Sequence, residues 1–136
     1  MQLLYICQSM EKRFTYPKSE KLKSRNTINL LFSEGLSVAK YPLRLVYVRV
    51  PDAPAKLQAG VSVSKKYFKK AADRNYFKRL LREAYRLNKH LLTDAGNAYA
   101  VMLLYQTNDR LGFEEINSRT IRLFEKFMEQ ENANRH

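Results

Sequence analysis

Cationic side chains are the most concentrated chemically useful groups in this 136-residue sequence. Residues 65–89 carry ten lysines and arginines against two acidic residues, which is two-thirds of the net charge of +12. Residues 90–136 carry five basic and seven acidic side chains, so the positive charge is not spread for solubility. This asymmetry indicates a face that binds a polyanion, and nucleic acid is the leading class of partner.

A helical projection separates these cations from the apolar side chains. The positions are projected at 100° per residue, starting from Arg74. Six cations then share an arc of about 140°, and the apolar residues between positions 76 and 87 form a separate arc. Asp73 is the predicted N-cap, and Asn75 can contact nucleic acid or hydrogen-bond locally. The predicted nucleic-acid-binding set is Lys65, Lys66, Lys69, Lys70, Arg74, Asn75, Lys78, Arg79, Arg82, Arg86 and Lys89. The alternative is a solvated cationic helix face.

Groups for a protein-catalysed reaction are sparse. The two histidines, His90 and His136, are far apart in sequence, and Cys7 is the single cysteine. Glu114 and Glu115 suit the first turn of a helix, where acidic side chains complement the helix dipole. Autonomous RNA hydrolysis requires clustered carboxylates for metal ions or histidines for acid–base catalysis. We therefore predict no catalytic residues and no metal site in the protein.

Length and composition fit one globular domain. We predict an extended or disordered segment over 1–11, a single RNA-binding domain over 12–130 and a frayed tail over 131–136. Met1 and Met10 are both possible starts, and the basic residues between 12 and 21 can form an RNA-binding arm or a solvated tail. No apolar stretch reaches the ~20 residues of a membrane-spanning helix, so we predict a cytoplasmic protein with no membrane association.

Periodicity predicts the elements that must position these residues. They are a helix over 28–34 capped by Asn26 or Thr27, strands over 43–50 and 58–64, the basic helix from residue 73, a strand over 97–106 and a helix over 113–131. The Pro-containing segment 51–57 is expected to join the first two strands as a hairpin loop. The strand from Tyr99 to Tyr105 is apolar on both faces and is predicted to be central. This order favours helices packed on a small mixed sheet.

Two neighbouring segments carry a resemblance to a known family. Gly60 to Lys66 reads GVSVSKK, and the helix from Arg74 reads RNYFKRLLREAY. Together with INLLFSEG from Ile28, these segments resemble the protein subunit of bacterial ribonuclease P over roughly residues 12–128. The sequence departs from the family pattern at Tyr76, where the second arginine of an R-N-R signature is usual, and at Ile28, which replaces an aromatic residue.

The resemblance implies a fold and a role. The implied fold is α+β, an α/β sandwich with a small mixed four-stranded sheet and three helices, similar to domain 2 of ribosomal protein S5, with a left-handed βαβ crossover. The implied role is to help a catalytic RNA that uses magnesium ions remove the 5′ leader of precursor tRNA. Ribonuclease P RNA and precursor tRNA are the expected partners, with no cofactor bound by the protein alone and no protein partner predicted.

The resemblance also implies a leader-binding cleft between the opening helix and the sheet. Its predicted lining is Lys23, Arg25, Phe32, Tyr47, Ser62 and Ser64. Aromatic side chains there can stack on unpaired bases while the cations hold the RNA backbone. Phe32 and Tyr47 can instead be core residues, and the two serines can be plain outward-facing strand residues. A ribosomal RNA-binding protein and an autonomous metal nuclease are the alternative functions.

Overall fold

Four strands form one mixed sheet with helices on both of its faces. The computed structural model describes residues 21–22, 25–50, 57–92 and 98–134. Its elements are α1 (Arg25–Glu34), β1 (Leu36–Lys40), β2 (Leu43–Arg49), β3 (Leu57–Val63), α2 (Ala71–Asn88), a 3-10 turn (Lys89–Leu91), β4 (Tyr99–Tyr105) and α3 (Phe113–Asn134). The four-stranded mixed sheet and the three helices confirm the predicted fold class.

The strand order β1-β2-β4-β3 places β4 inside the sheet. β2 pairs with β4 antiparallel and β3 pairs with β4 parallel, so α2 is the crossover between β3 and β4. The predicted hairpin of β2 and β3 is therefore wrong, because β4 lies between them. The reason is that β4 is apolar on both faces, with six of its seven residues buried, and such a strand belongs in the interior of a sheet.

The sheet buries a different core on each face. On one face, α2 and α3 pack over a large cluster that includes Leu45, Phe77 and Phe124. On the other, α1 packs over a small cluster of Leu31, Val46, Ala100 and Met102. Burying one phenylalanine or leucine side chain stabilises the fold by about 1.5–3 kcal/mol, so the α2–α3 face carries most of the stability. The short α1 leaves part of its face open.

The helix boundaries differ from the predicted caps. α1 begins at Arg25, so Asn26 and Thr27 lie inside its first turn rather than at the cap. α2 begins at Ala71 with Lys70 at the N-cap position, and no side chain caps it there. Asp73 therefore lies within the first turn, where its charge favours the positive end of the helix dipole and pairs with Arg110 at 3.2 Å.

The predicted end of α1 is confirmed at Gly35. The Gly35 N–H donates to the Leu31 carbonyl oxygen at 2.9 Å as the helix ends. A Cβ at this position would lie 2.1 Å from the same oxygen, so a side chain does not fit. β1, which the sequence analysis missed, starts immediately afterwards and is a short edge strand with only Val38 buried.

A buried carboxylate anchors the end of α3. Glu131 is 2% exposed, and its Oε2 accepts hydrogen bonds from Arg49, at 3.0 Å, and from Tyr99. Burial raises the pKa of Glu131, but hydrogen bonds from Tyr99, Arg49 and Tyr47 outweigh burial and lower it overall. Burial, together with the Glu131 charge, raises the pKa of Tyr47 to about 12. The predicted frayed tail therefore begins too early, because residue 131 is held inside the fold.

We expect Glu131→Gln to destabilise the protein at pH 7 by about 1–3 kcal/mol, because hydrogen bonds to a buried charge are lost. The folded-state pKa of Glu131 is lowered. Its contribution to the free energy of unfolding is therefore complete above the ordinary carboxyl pKa, and it is lost as the pH falls through the lowered value. In urea unfolding, the native and variant chains should therefore differ less in free energy of unfolding as the pH falls below about 4.

Glu129→Gln is the matched control, because Glu129 lies on the same helix with its side chain 67% exposed. Its free energy of unfolding should change by less than about 0.5 kcal/mol. The anchoring role would be contradicted if the two variants lost equal stability. It would also be contradicted if the stability lost in Glu131→Gln did not vary with pH.

Candidate nucleic-acid interface

One side of α2 packs into the core and the other presents cations. Phe77, Leu81 and Ala84 are fully buried, whereas Arg79 and Arg82 are exposed and Lys78 is half-buried. The loop between β3 and α2 adds four exposed lysines. We call this surface the basic face, and it consists of Lys65, Lys66, Lys69, Lys70, Lys78, Arg79 and Arg82. Asn75 is exposed in the first turns of the same helix.

The loop that carries these lysines has a defined conformation. The Ser64 Oγ accepts a hydrogen bond from the Lys66 N–H at 3.1 Å, and the Ser64 carbonyl accepts from the N–H groups of the two residues after Lys66. Arg74, predicted to bind RNA, donates from Nη1 to the carbonyl oxygens of Phe68, at 3.0 Å, and Lys69, at 2.8 Å. Arg74 thus holds the loop against the helix, and Ser64 caps a turn.

Arg86 and Lys89, the last two cations of the predicted set, do not belong to the basic face. Arg86 pairs with Glu83, its Nε lying 3.1 Å from Oε2, and this hydrogen bond lowers the pKa of Glu83. Lys89 is only 6% exposed, so its assignment to an RNA-binding face is wrong. The α-helix ends at Asn88 and tightens into a 3-10 turn, so the 100° projection does not apply to Lys89.

The residues predicted for the leader cleft fall on both faces of the sheet. Phe32 is 60% exposed on α1, Arg25 is exposed at the start of that helix, and Ser62 lies half-buried on the α1 face of β3. Lys23 lies outside the described residues. Tyr47 faces α3 instead, is 1% exposed, and packs edge-on against Phe127 at a centroid distance of 4.6 Å. Its assignment to the cleft is wrong, because alternation along β2 sends it into the larger core.

A groove of about 520 Å³ opens beside α1, which we call the α1-side groove. Its lining includes Lys21, Leu22, Ile28, Gly60, Arg82 and Met102. Gly60 helps keep it open, because a Cβ there would lie 3.2 Å from the Met102 Cε. Sequence reasoning missed Gly60 and Met102 as lining residues, although the alternation in β3 puts Gly60 and Ser62 on this face. Arg82 belongs to both the groove and the basic face, so the two surfaces are continuous.

Within the described residues, no group of three or more histidine, cysteine, aspartate or glutamate side chains is placed to hold a metal ion. None of the helices in that part of the chain is long and apolar enough to cross a membrane. The exposed lysines and arginines of the basic face can bind anions.

Comparison with known proteins identifies the family. The family model for ribonuclease P matches residues 16–128. The ribonuclease P protein component of Porphyromonas gingivalis is 45% identical over 102 residues, covering 72% of this chain and 74% of that protein. This chain belongs to the ribonuclease P protein family. The predicted family is confirmed, and the family's role is RNA binding and tRNA 5′ processing with catalysis by the RNA.

Solved ribonuclease P proteins share the fold. The Staphylococcus aureus protein matches with a TM-score of 0.67 at 20% identity, covering 81% of this chain and 96% of that one. The Thermotoga maritima protein matches with a TM-score of 0.64 at 22% identity, covering 79% and 96% respectively. The basic face and the α1-side groove therefore lie on a ribonuclease P protein fold.

Replacing Arg79 and Arg82 together by alanine should weaken binding to ribonuclease P RNA and flatten its salt dependence. Each phosphate contact contributes roughly 0.7–0.9 to the slope of log K against log salt, so the slope should fall by up to about two. Titrations at several salt concentrations measure this change.

Arg122→Ala removes an exposed arginine from α3, where it pairs with Glu125 at 3.1 Å, and serves as the control. Its slope should equal that of the native chain. An unchanged slope in the double variant would remove α2 from the RNA interface.

Proposed function

We propose that this chain holds the two RNAs of the ribonuclease P reaction on adjoining surfaces. The basic face binds the catalytic RNA, and the α1-side groove binds the 5′ leader of precursor tRNA. The observation that carries the proposal is the continuity of these surfaces at Arg82, which faces both. A protein that acts on these RNAs works in the cytoplasm.

The physical task is to bring two polyanions together. Phosphates of the catalytic RNA and of the substrate repel each other, and magnesium ions in the RNA must offset part of that repulsion. Seven cations on one face neutralise phosphates and release counterions, which favours the complex entropically. The protein should therefore matter most at low magnesium concentration, where the RNA alone is least able to screen its own charge.

The α1-side groove has the chemistry of a site for single-stranded RNA. Its floor is apolar at Met102 and Gly60, and cations lie at its rim. Phe32 follows Ile28 by one helical turn, so both lie on the same side of α1. An aromatic ring that is 60% exposed offers a face on which an unpaired base can stack. Arg25 at the start of the same helix and Ser62 on β3 can contact the backbone.

Phe32→Ala should raise the KM for precursor tRNA, because base stacking on an aromatic ring contributes about 1–3 kcal/mol. Binding of mature tRNA, which has no leader, should change much less. Leu36→Ala is the control, since Leu36 is 51% exposed just after the end of α1 and has no ring. If precursor and mature tRNA are affected equally, Phe32 does not contact the leader.

The central experiment is precursor tRNA cleavage at low magnesium concentration. The reactions contain the cognate catalytic RNA alone, this protein alone, or both together. Cleavage stimulated only when both are present supports the proposal. Cleavage by the protein alone would make it a nuclease in its own right, and no stimulation of the RNA would reject the proposed role.

A further inference from the structure

Tyr76 is an exposed aromatic residue on the most basic helix of the protein. Its side chain is 50% exposed, and its ring meets the buried ring of Phe77 edge-on at a centroid distance of 5.1 Å. The ring is therefore supported by a core residue on one side, while half of its side chain is left in solvent. A half-exposed tyrosine ring beside a cluster of exposed cations offers a surface on which a flat group can stack.

Arginines are placed one turn before and one turn after Tyr76 along α2, through an ion pair in the first case and by sequence in the second. Arg79 follows Tyr76 by three residues, one turn along α2, and is exposed on the basic face. Asp73 precedes Tyr76 by three residues and pairs with Arg110 from the connection between β4 and α3, at 3.2 Å. The Arg110 guanidinium carbon lies 5.3 Å from the centroid of the Phe77 ring, the same ring that Tyr76 contacts.

Arg110 extends the positive surface beyond α2. Its side chain is 57% exposed, and that of Asp73 is 32% exposed, so their ion pair is open to water. Such a pair is weak, and a phosphate can replace the carboxylate as its partner. Arg110 lies 34 residues from Tyr76 in sequence, which is why the helical projection gave no sign of it.

We propose that Tyr76 stacks on an unpaired base of the catalytic RNA and that Arg110 holds a phosphate of the same strand. The inference rests on the proposed function, because it needs the RNA on the basic face. In this chain a flat uncharged ring occupies the position where the family pattern has an arginine, and a guanidinium from another segment lies nearby. The contact at position 76 is then stacking rather than charge neutralisation.

Tyr76→Trp tests the stacking directly, because the sequence contains no tryptophan. The variant has a single indole fluorophore, and its emission should be quenched when ribonuclease P RNA saturates the protein, because the indole then stacks on a base. Leu36→Trp is the control, since Leu36 is 51% exposed at the start of β1, which is the edge strand farthest from β3 in the sheet. Its emission should stay unchanged in the same titration.

Affinity measurements separate stacking from charge. Tyr76→Ala should raise the Kd for the RNA roughly 5-fold to 100-fold with an unchanged salt slope, and Tyr76→Phe should restore most of the affinity. Arg110→Ala should instead reduce the slope by about one. Urea unfolding checks that the Tyr76 variants are fully folded in the binding assays, and Tyr76→Ala should unfold at a slightly lower urea concentration because it loses the contact with the Phe77 ring.

The outcomes distinguish this inference from the function on which it rests. Steep, salt-dependent RNA binding by the Tyr76→Trp variant without quenching of its indole emission would overturn the stacking contact and leave the basic face intact. Loss of affinity in Tyr76→Ala accompanied by a smaller slope would also overturn it. Failure of the native chain to bind the RNA at all would overturn the proposed function, and the inference with it.

Discussion

The burial of β4 on both faces is the constraint on which the rest of the structure depends. A strand whose side chains are apolar in both directions requires a neighbour at each edge and a helical layer on each face. β2 and β3 supply the edges, α2 and α3 supply one layer, and α1 supplies part of the other. Because α2 connects two parallel neighbours, it must cross one face in full, and its outer side becomes a long, supported surface.

The two helical layers differ in size, and this difference leaves the α1-side groove open. Two long helices close one face of the sheet over a large aromatic core. The ten-residue α1 closes only part of the other, with Leu31 its one buried residue. What is left uncovered is the α1-side groove, and the edge strand β3 separates it from α2. Arg82 can serve both surfaces because only this one strand lies between them.

Periodicity correctly predicted features that depend on neighbouring residues in the sequence. It failed for strand pairing and side-chain partners, which depend on segments far apart in the sequence. The apolar and cationic sides of α2 follow from spacing along one helix, and the central position of β4 follows from its composition. The hairpin prediction failed because β2 pairs with β4, a strand far away in sequence. Glu131 was assigned to a frayed end because its neighbours are polar, but Tyr99 and Arg49 from two strands give it partners that only the fold can supply. Arg110 belongs to no local pattern, and its ion pair with Asp73 forms only because the fold brings its loop beside the first turn of α2.

The charge pattern of α3, which packs beside α2, favours a single binding face. Acidic residues of α3 are neutralised within the helix, since Glu115 pairs with Arg119 and Glu125 with Arg122. These exposed pairs add little stability. They do compensate arginines of α3, whereas the basic face of α2 and its loop carries seven lysines and arginines. Charge concentrated in this way is expected to orient an approaching polyanion before short-range contacts form.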